Sequence, residues 1–230
     1  MKKTLITTLI LATIASTLWT LRDSRTAQAL PQCPDTPPIV IDPGHGGIDG
    51  GTNVPGMLEK EVVLDIALRT KKYLDRYKVP VVLTRDTDTA LGGNWDSGHL
   101  RRDLNQRIRI ANHCRAGLML SLHVNHTRNA SERGMMIFYQ PSRTGRDAAY
   151  LFDDILRRWP LHSRPEQPHP RKDFAVLKTK APALLVELGF ISNDQDRQLL
   201  ADNAYRERLA QALSSGSAAI YQKWLKHGSP

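Results

Sequence analysis

Two histidines and one carboxylate stand where short apolar runs of this chain end, and a second carboxylate precedes a helical pattern. Ile39-Val40-Ile41 leads into Asp42-Pro43-Gly44-His45-Gly46-Gly47. In such a turn proline fixes one dihedral, and the glycines permit a sharp bend and close approach to a ligand. His123 lies near the end of a second run, Leu118 to Val124, where alternation puts Ser121, His123 and Asn125 on one face of a strand. Glu59 precedes a helical pattern that begins near Lys60, a position where a carboxylate also suits the helix dipole. Glu187 follows Ala183-Leu184-Leu185-Val186, a run apolar on both faces. A carboxylate at the end of so buried a strand needs a reason.

Two His and one Glu form a ligand set for a catalytic zinc that leaves a position for water, and a second carboxylate beside it can deprotonate that water. His45, Glu59 and His123 fill the ligand roles, and Glu187 fills that of a general base that then passes the proton to a leaving amine. The chemistry is amide hydrolysis without a covalent intermediate. Spacing alone does not separate Glu59 from Glu61. Asp42 or Asp49 could orient the free nitrogen of His45, although a carboxylate in a tight turn also bonds local backbone. Competing chemistries lack their parts. The glycine turn has no Lys-Ser/Thr continuation and no GxGxxG spacing. Neither Ser121 nor Ser192 sits in a GxSxG turn, and Cys114 at a helix-to-strand junction shows no sign of activation. His99, His113, His126, His162 and His169 read as ordinary surface or helix-end residues, with His126 on the opposite face of the strand from His123.

Positioning these four residues falls to alternating elements. Strands are predicted at 39–41, 79–83, 118–124, 135–139, 174–177 and 183–186. Helices are marked by Val63, Ile66, Ala67 and Leu74, by Leu104, Ile108 and Ala111, by the span Ala148 to Trp159, and by Leu209, Leu213, Ile220 and Trp224. This order predicts a single α/β domain: a mostly parallel or mixed sheet of about six strands, helices on both faces, and a site at the carboxyl ends of the strands. Arg164 to Lys172, rich in proline, reads as a surface loop.

Met1-Lys2-Lys3, an uncharged stretch from Thr4 to Leu21 and the triplet Ala27-Gln28-Ala29 have the layout of a signal peptide; the stretch is also about long enough for an uncleaved membrane anchor. We read 1–29 as leader or anchor, 30–38 as a proline-rich linker and 39–226 as the catalytic domain, acting outside the cytoplasm. Loss of the leader would lower the formal charge from +9 to +6. A basic balance favours an anionic partner, but the chain has no Lys/Arg stripe with interleaved aromatics, so nucleic acid is not expected. Cys33 and Cys114 are the only cysteines; an oxidising compartment allows one bridge between them, and two separate thiols fit the sequence equally.

Four blocks resemble a known family. They are Ile41-Asp42-Pro43-Gly44-His45-Gly46-Gly47, Leu58-Glu59-Lys60-Glu61-Val62, Ser121-Leu122-His123-Val124-Asn125, and Leu185-Val186-Glu187-Leu188-Gly189-Phe190-Ile191-Ser192-Asn193. Over roughly residues 39 to 225 the chain is similar to the zinc-dependent N-acetylmuramoyl-L-alanine amidases of bacterial cell walls, the amidase 3 type. Val82 to Asp86 and Leu104 to Arg107 look like that family's supporting strand and helix. The resemblance implies His45, Glu59 and His123 as zinc ligands and Glu187 as the catalytic glutamate, and it selects Glu59 over Glu61. It further implies peptidoglycan as substrate, cut between the lactyl group of N-acetylmuramic acid and L-alanine; separately from the resemblance, a monomer is expected. Two departures are mild: His126 stands where a small residue is usual, and Leu184 follows Ala181-Pro182-Ala183. The 63 residues between His123 and Glu187 leave no room for the long helix with which some relatives block their own site. The short chain, with its Gly92 to Arg102 insertion, looks most like the branch acting on spore cortex; general wall turnover is the alternative. The rival readings are a zinc peptidase of the wall peptide and a wall-binding protein without catalysis.

Overall fold

The computed structural model describes residues 29–161 and 167–227. The leader expected at 1–29 falls almost wholly outside them, as does His162. Among the described residues no helix is long and apolar enough to cross a membrane.

The elements run β1 (Ile39–Pro43), β2 (Asn53–Val54), β3 (Met57–Leu58), α1 (Glu59–Arg76), β4 (Val81–Leu83), α2 (His99–His113), β5 (Leu118–Asn125), β6 (Met136–Tyr139), α3 (Arg143–Leu156), β7 (His169–Pro170), a 3-10 turn (Ala175–Leu177), β8 (Ala183–Phe190), α4 (Asp194–Ala201) and α5 (Asn203–His227). Six strands form one sheet in the order β4-β1-β5-β8-β6-β7. β1, β4, β5 and β8 are mutually parallel where they pair, and β6 runs antiparallel to β8. This is the mixed, mostly parallel sheet that the alternation predicts.

Side-chain alternation gives each face of the sheet its own core. Ile39, Ile41, Leu120, Leu122 and Val186 pack on one side against Val63 and Ile66 of α1, Phe152 of α3 and Leu213 of α5. Val40, Met119, Leu185 and Phe138 pack on the other against Ile110 and Ala111 of α2 and Val176 and Leu177. Leu30 and Cys33 join this second core, and Cys33 is bridged to Cys114 just past α2.

Three expectations change. Phe174 to Leu177 forms a 3-10 turn and not a strand: Leu177 and Lys178 donate to Phe174 and Ala175 three residues back. Its side chains Val176 and Leu177 are nonetheless buried, in the second core. The sheet edge is taken by His169–Pro170, inside the stretch read as a loop, which pairs with Phe138 and Tyr139 of β6. In α2 the inward face is rotated from the one that Leu104 and Ile108 suggest. Asp103, Gln106, Arg107 and Ile110 point in, while Leu104 is exposed.

Candidate metal centre

β1 ends in a loop whose shape is set by two arginines. Buried Arg107, 2% exposed, donates from Nη1 to Asp42 Oδ1 (2.7 Å) and the Pro43 carbonyl (2.8 Å), from Nη2 to the His45 carbonyl (2.6 Å), and from Nε to Asp103 (2.6 Å). Arg85 donates to the carbonyls of Pro43 and Gly44 from the other side, at 3.0 and 2.8 Å. A fixed fork of donors thus satisfies carbonyls that no strand partner reaches. Gripped in this way, His45 adopts a left-handed backbone (φ 61°), followed by Gly46 and Gly47, also at positive φ.

Asp42 is fully buried and accepts from Thr84, Ser121 and Arg107. Burial alone would raise its pKa; the Arg107 charge and these hydrogen bonds overcome that and hold it below the usual carboxylate range. Asp42 is therefore an anchor of the loop, and Asp49 is the residue that meets His45, with Oδ2 2.8 Å from Nδ1. That contact leaves Nε2 of His45 facing Glu59 Oε1 at 3.2 Å.

Glu59 is the first residue of α1, one position earlier than the pattern suggests, and is 2% exposed. Its Oε1 also lies 3.0 Å from Nδ1 of His123 and accepts from the Val124 amide at 2.9 Å. Its Oε2 accepts from the amide and hydroxyl of Thr52 at 2.7 and 2.9 Å. Glu61 is exposed on the outer face of the same turn, so the structure brings Glu59, and not Glu61, to the two imidazoles. One donor atom from each of His45, Glu59 and His123 lies within 4.8 Å of the other two. The His₂Glu chemistry of this set fits a divalent zinc.

Charge follows from this packing. Burial would raise Glu59, yet the imidazoles of His123 and His45 hold it well below its ordinary value. Burial would lower His45, but hydrogen bonds to Asp49 and Glu59 push it up to about 9. A metal ion bound here would displace the proton that these contacts favour on His45. The His123 ring lies on Gly44, where an added Cβ would stand 2.3 Å from Cε1 and 2.6 Å from Nε2. Only glycine leaves room for the ring.

Glu187 is directly in register with His123 across the β5–β8 pair, on the same face as Asp42 and Ser121. It lies inside β8 and not past its end, because the strand continues to Phe190 after a register shift between His123 and Asn125. Its Oε2 is buried with no hydrogen-bond partner among the described residues. Burial, reinforced by the Glu59 charge and opposed by the imidazoles, pushes its pKa up to about 7. A carboxyl of that kind can both accept and return a proton near neutral pH.

The other histidines stay apart. His113 and His126 are exposed, and His169 sits on the edge strand. His99 is a helix-end residue as expected, opening α2, but it is buried and not at the surface, with Nδ1 3.2 Å from the Asn94 carbonyl. The arginine clamp is what sequence reasoning missed. Its signal was an Asp103–Arg107 pair four residues apart on the inward face of a helix.

An α/β sheet with a His-Glu-His cluster at its carboxyl edge and a raised carboxyl beside it is a hydrolase-like site whose three clustered side chains could hold a metal ion. The profile of the amidase 3 family, described as N-acetylmuramoyl-L-alanine amidase, matches residues 39–218, and the chain belongs to that family of cell-wall hydrolases. The germination-specific N-acetylmuramoyl-L-alanine amidase of Bacillus subtilis (strain 168) is 32% identical over 197 residues, covering 84% of this chain and 81% of that protein. The amidase LytC of the same organism is 31% identical over 186 residues, 80% of this chain but 35% of its own length. The CwlD amidase of Clostridioides difficile, solved in complex with the GerS lipoprotein, superimposes with a TM-score of 0.76 at 27% identity, covering 82% of this chain and all of that one.

Proposed function

We propose that this amidase hydrolyses the bond between N-acetylmuramic acid and L-alanine with zinc held by His45, Glu59 and His123, and with Glu187 as general base and then acid. The observation that carries the reading is the juxtaposition of a three-residue cluster with Glu187, on the neighbouring strand, whose buried Oε2 has no hydrogen-bond partner among the described residues. Zinc, when bound, supplies Lewis acidity that polarises the scissile carbonyl and acidifies water. Glu187 takes a proton from the attacking water and delivers it to the departing L-alanine nitrogen, so protons balance without a covalent enzyme intermediate. Asp49 fixes the ring orientation of His45, and Thr52 fixes that of Glu59.

The substrate places this chemistry outside the cytoplasm, and residues 1–29 serve as leader or anchor for a monomeric enzyme. The match of this short chain to most of the length of a germination-specific relative supports spore-wall peptidoglycan as the working substrate. The pairing of the CwlD relative with a lipoprotein supports a protein partner in the same setting.

A digest of purified cortex and vegetative peptidoglycan by the full chain, with and without chelator, tests the reading by mass spectrometry. Intact stem peptides with a free L-alanine amine, lost on chelation and restored by Zn²⁺, are expected. Glu187→Gln should lower kcat by about 10²–10⁴ while zinc content stays constant. Shortened stems would indicate a peptidase instead, and unchanged turnover by Glu187→Gln would remove Glu187 from the mechanism.

A further inference from the structure

The connection from β4 to α2 leaves the sheet at the same edge as the metal cluster, since β4 runs parallel to β1. It presses on the His45 loop: a Cβ at Gly46 would meet the Thr89 carbonyl at 2.3 Å, and one at Gly47 the Ala90 amide at 2.8 Å. From this rim rises Trp95, 55% exposed. Ile48, in the touching loop three residues past His45, is 66% exposed. A large apolar ring left in water is the informative exception to burial.

The segment under Trp95 is built rigidly. Asp103 accepts from the amides of Leu91 and Gly92 at 2.7 and 3.1 Å. Arg102 donates to the carbonyls of Gly92 and Asn94 at 2.8 and 2.7 Å and pairs with Asp96 at 2.9 Å. The buried His99 ring packs against the indole, centroids 4.5 Å apart and planes tilted by 48°. The indole is thus braced from within at a site where the backbone is tied down, which lowers the entropy lost when a ligand stacks on it.

Charge selects the ligand. Residues 86–98 carry Asp86, Asp88 and Asp96 and no Lys or Arg; Lys60 pairs with Asp88 at 2.7 Å and Arg102 with Asp96 at 2.9 Å, so these pairs leave Asp86 in excess. Across β5, the loop 126–133 carries exposed Arg128 and Arg133 against one Glu132. Stem peptides bring carboxylates, which the second flank attracts and the largely paired first flank does not; sugar rings bring neutral faces of C–H groups, which suit an aromatic plane. We propose that Trp95 is a stacking platform for the saccharide strand, so that the glycan crosses the metal edge on the β4 side and the peptide leaves on the side of Arg128. This specificity role rests on the amidase reading.

The test separates the two. Full-chain Glu187→Gln is titrated with peptide-free strands of alternating N-acetylglucosamine and N-acetylmuramic acid, with and without Trp95→Ala or Trp95→Phe. Trp95→Ala should weaken binding about tenfold and Trp95→Phe by less than about threefold, the loss expected for a truncated aromatic anchor. In the catalytically intact protein, the ratio of kcat/KM on polymeric peptidoglycan to that on a one-sugar muramyl peptide should fall by a similar factor in Trp95→Ala. Glycan binding unaltered by Trp95→Ala overturns the platform and assigns the exposed ring to another partner, such as a protein. An equal loss on both substrates overturns it as well, by making Trp95 a support of the site. If the wild type cleaves neither substrate but glycan binding still depends on Trp95, the platform stands and the amidase mechanism falls.

Discussion

Replacing Arg107 by Met removes the guanidinium while keeping most of the side-chain volume. Two carboxylates, Asp42 and Asp103, and the carbonyls of Pro43 and His45 then lose a donor in a nearly dry interior. Breaking a buried ion pair from one side costs about 3–5 kcal/mol, because the remaining charge stays buried. For a domain of this size that corresponds to a fall of about 6–20 °C in Tm. The pH dependence carries a sign. In the wild type the depressed pKa of Asp42 contributes stability that is present above its unfolded value and is lost as pH falls through the folded one. In the variant the dominant remaining influence on Asp42 is burial, which raises its pKa, so acid relieves the variant before it harms the wild type. Thermal melts of metal-free protein should therefore show a gap between the two that narrows from about pH 8 to about pH 3. A Tm within about 3 °C of the wild type, or a gap that widens in acid, would refute the clamp. Zinc titration of the same variant should show weaker binding, since the His45 carbonyl is one of the groups released.

Two further outcomes follow from packing. Gly44→Ala drives a methyl into the His123 ring, so bound zinc per chain measured by atomic absorption should fall while far-UV circular dichroism is unchanged; full zinc occupancy would show that the ring has another place to go. Removing the Cys33–Cys114 bridge with paired Ala substitutions opens a loop of 81 residues, worth about 4.5 kcal/mol by chain entropy, or about 9–18 °C in Tm. Zinc affinity should persist in that variant, and a shift under about 2 °C would mean that the leading segment packs as well without its bond.

The sheet was legible because its central parallel strands, β1, β5 and β8, are buried on both faces and read as compact apolar runs, with helical periodicity between runs. The cluster was legible for a related reason: polar residues with metal-binding side chains interrupt those runs at their carboxyl ends. What escaped had either too little length or the wrong polarity. β2 and β3 are two residues each around Pro55-Gly56, too short for alternation to register. α4 is announced only by Asn193, whose side chain accepts from the amides of Gln195 and Asp196. The inward face of α2 is polar because it serves Asp42 and the His45 carbonyl, so a search for apolar stripes selects the wrong side of the helix. The disulfide needed the fold itself, which brings the two Cα atoms to 5.1 Å.

The bridge and the metal cluster occupy opposite edges of the sheet. Pro38 and Gly117 are joined by a hydrogen bond where β1 and β5 begin, close in sequence to Cys33 and Cys114, whereas His45 and His123 stand where those strands end. The eight residues of β5 span about 26 Å at ordinary strand rise. The domain is in this sense its own spacer: the polypeptide enters at the back edge, stapled there, and the cutting edge faces away from the point of entry by the full height of the sheet.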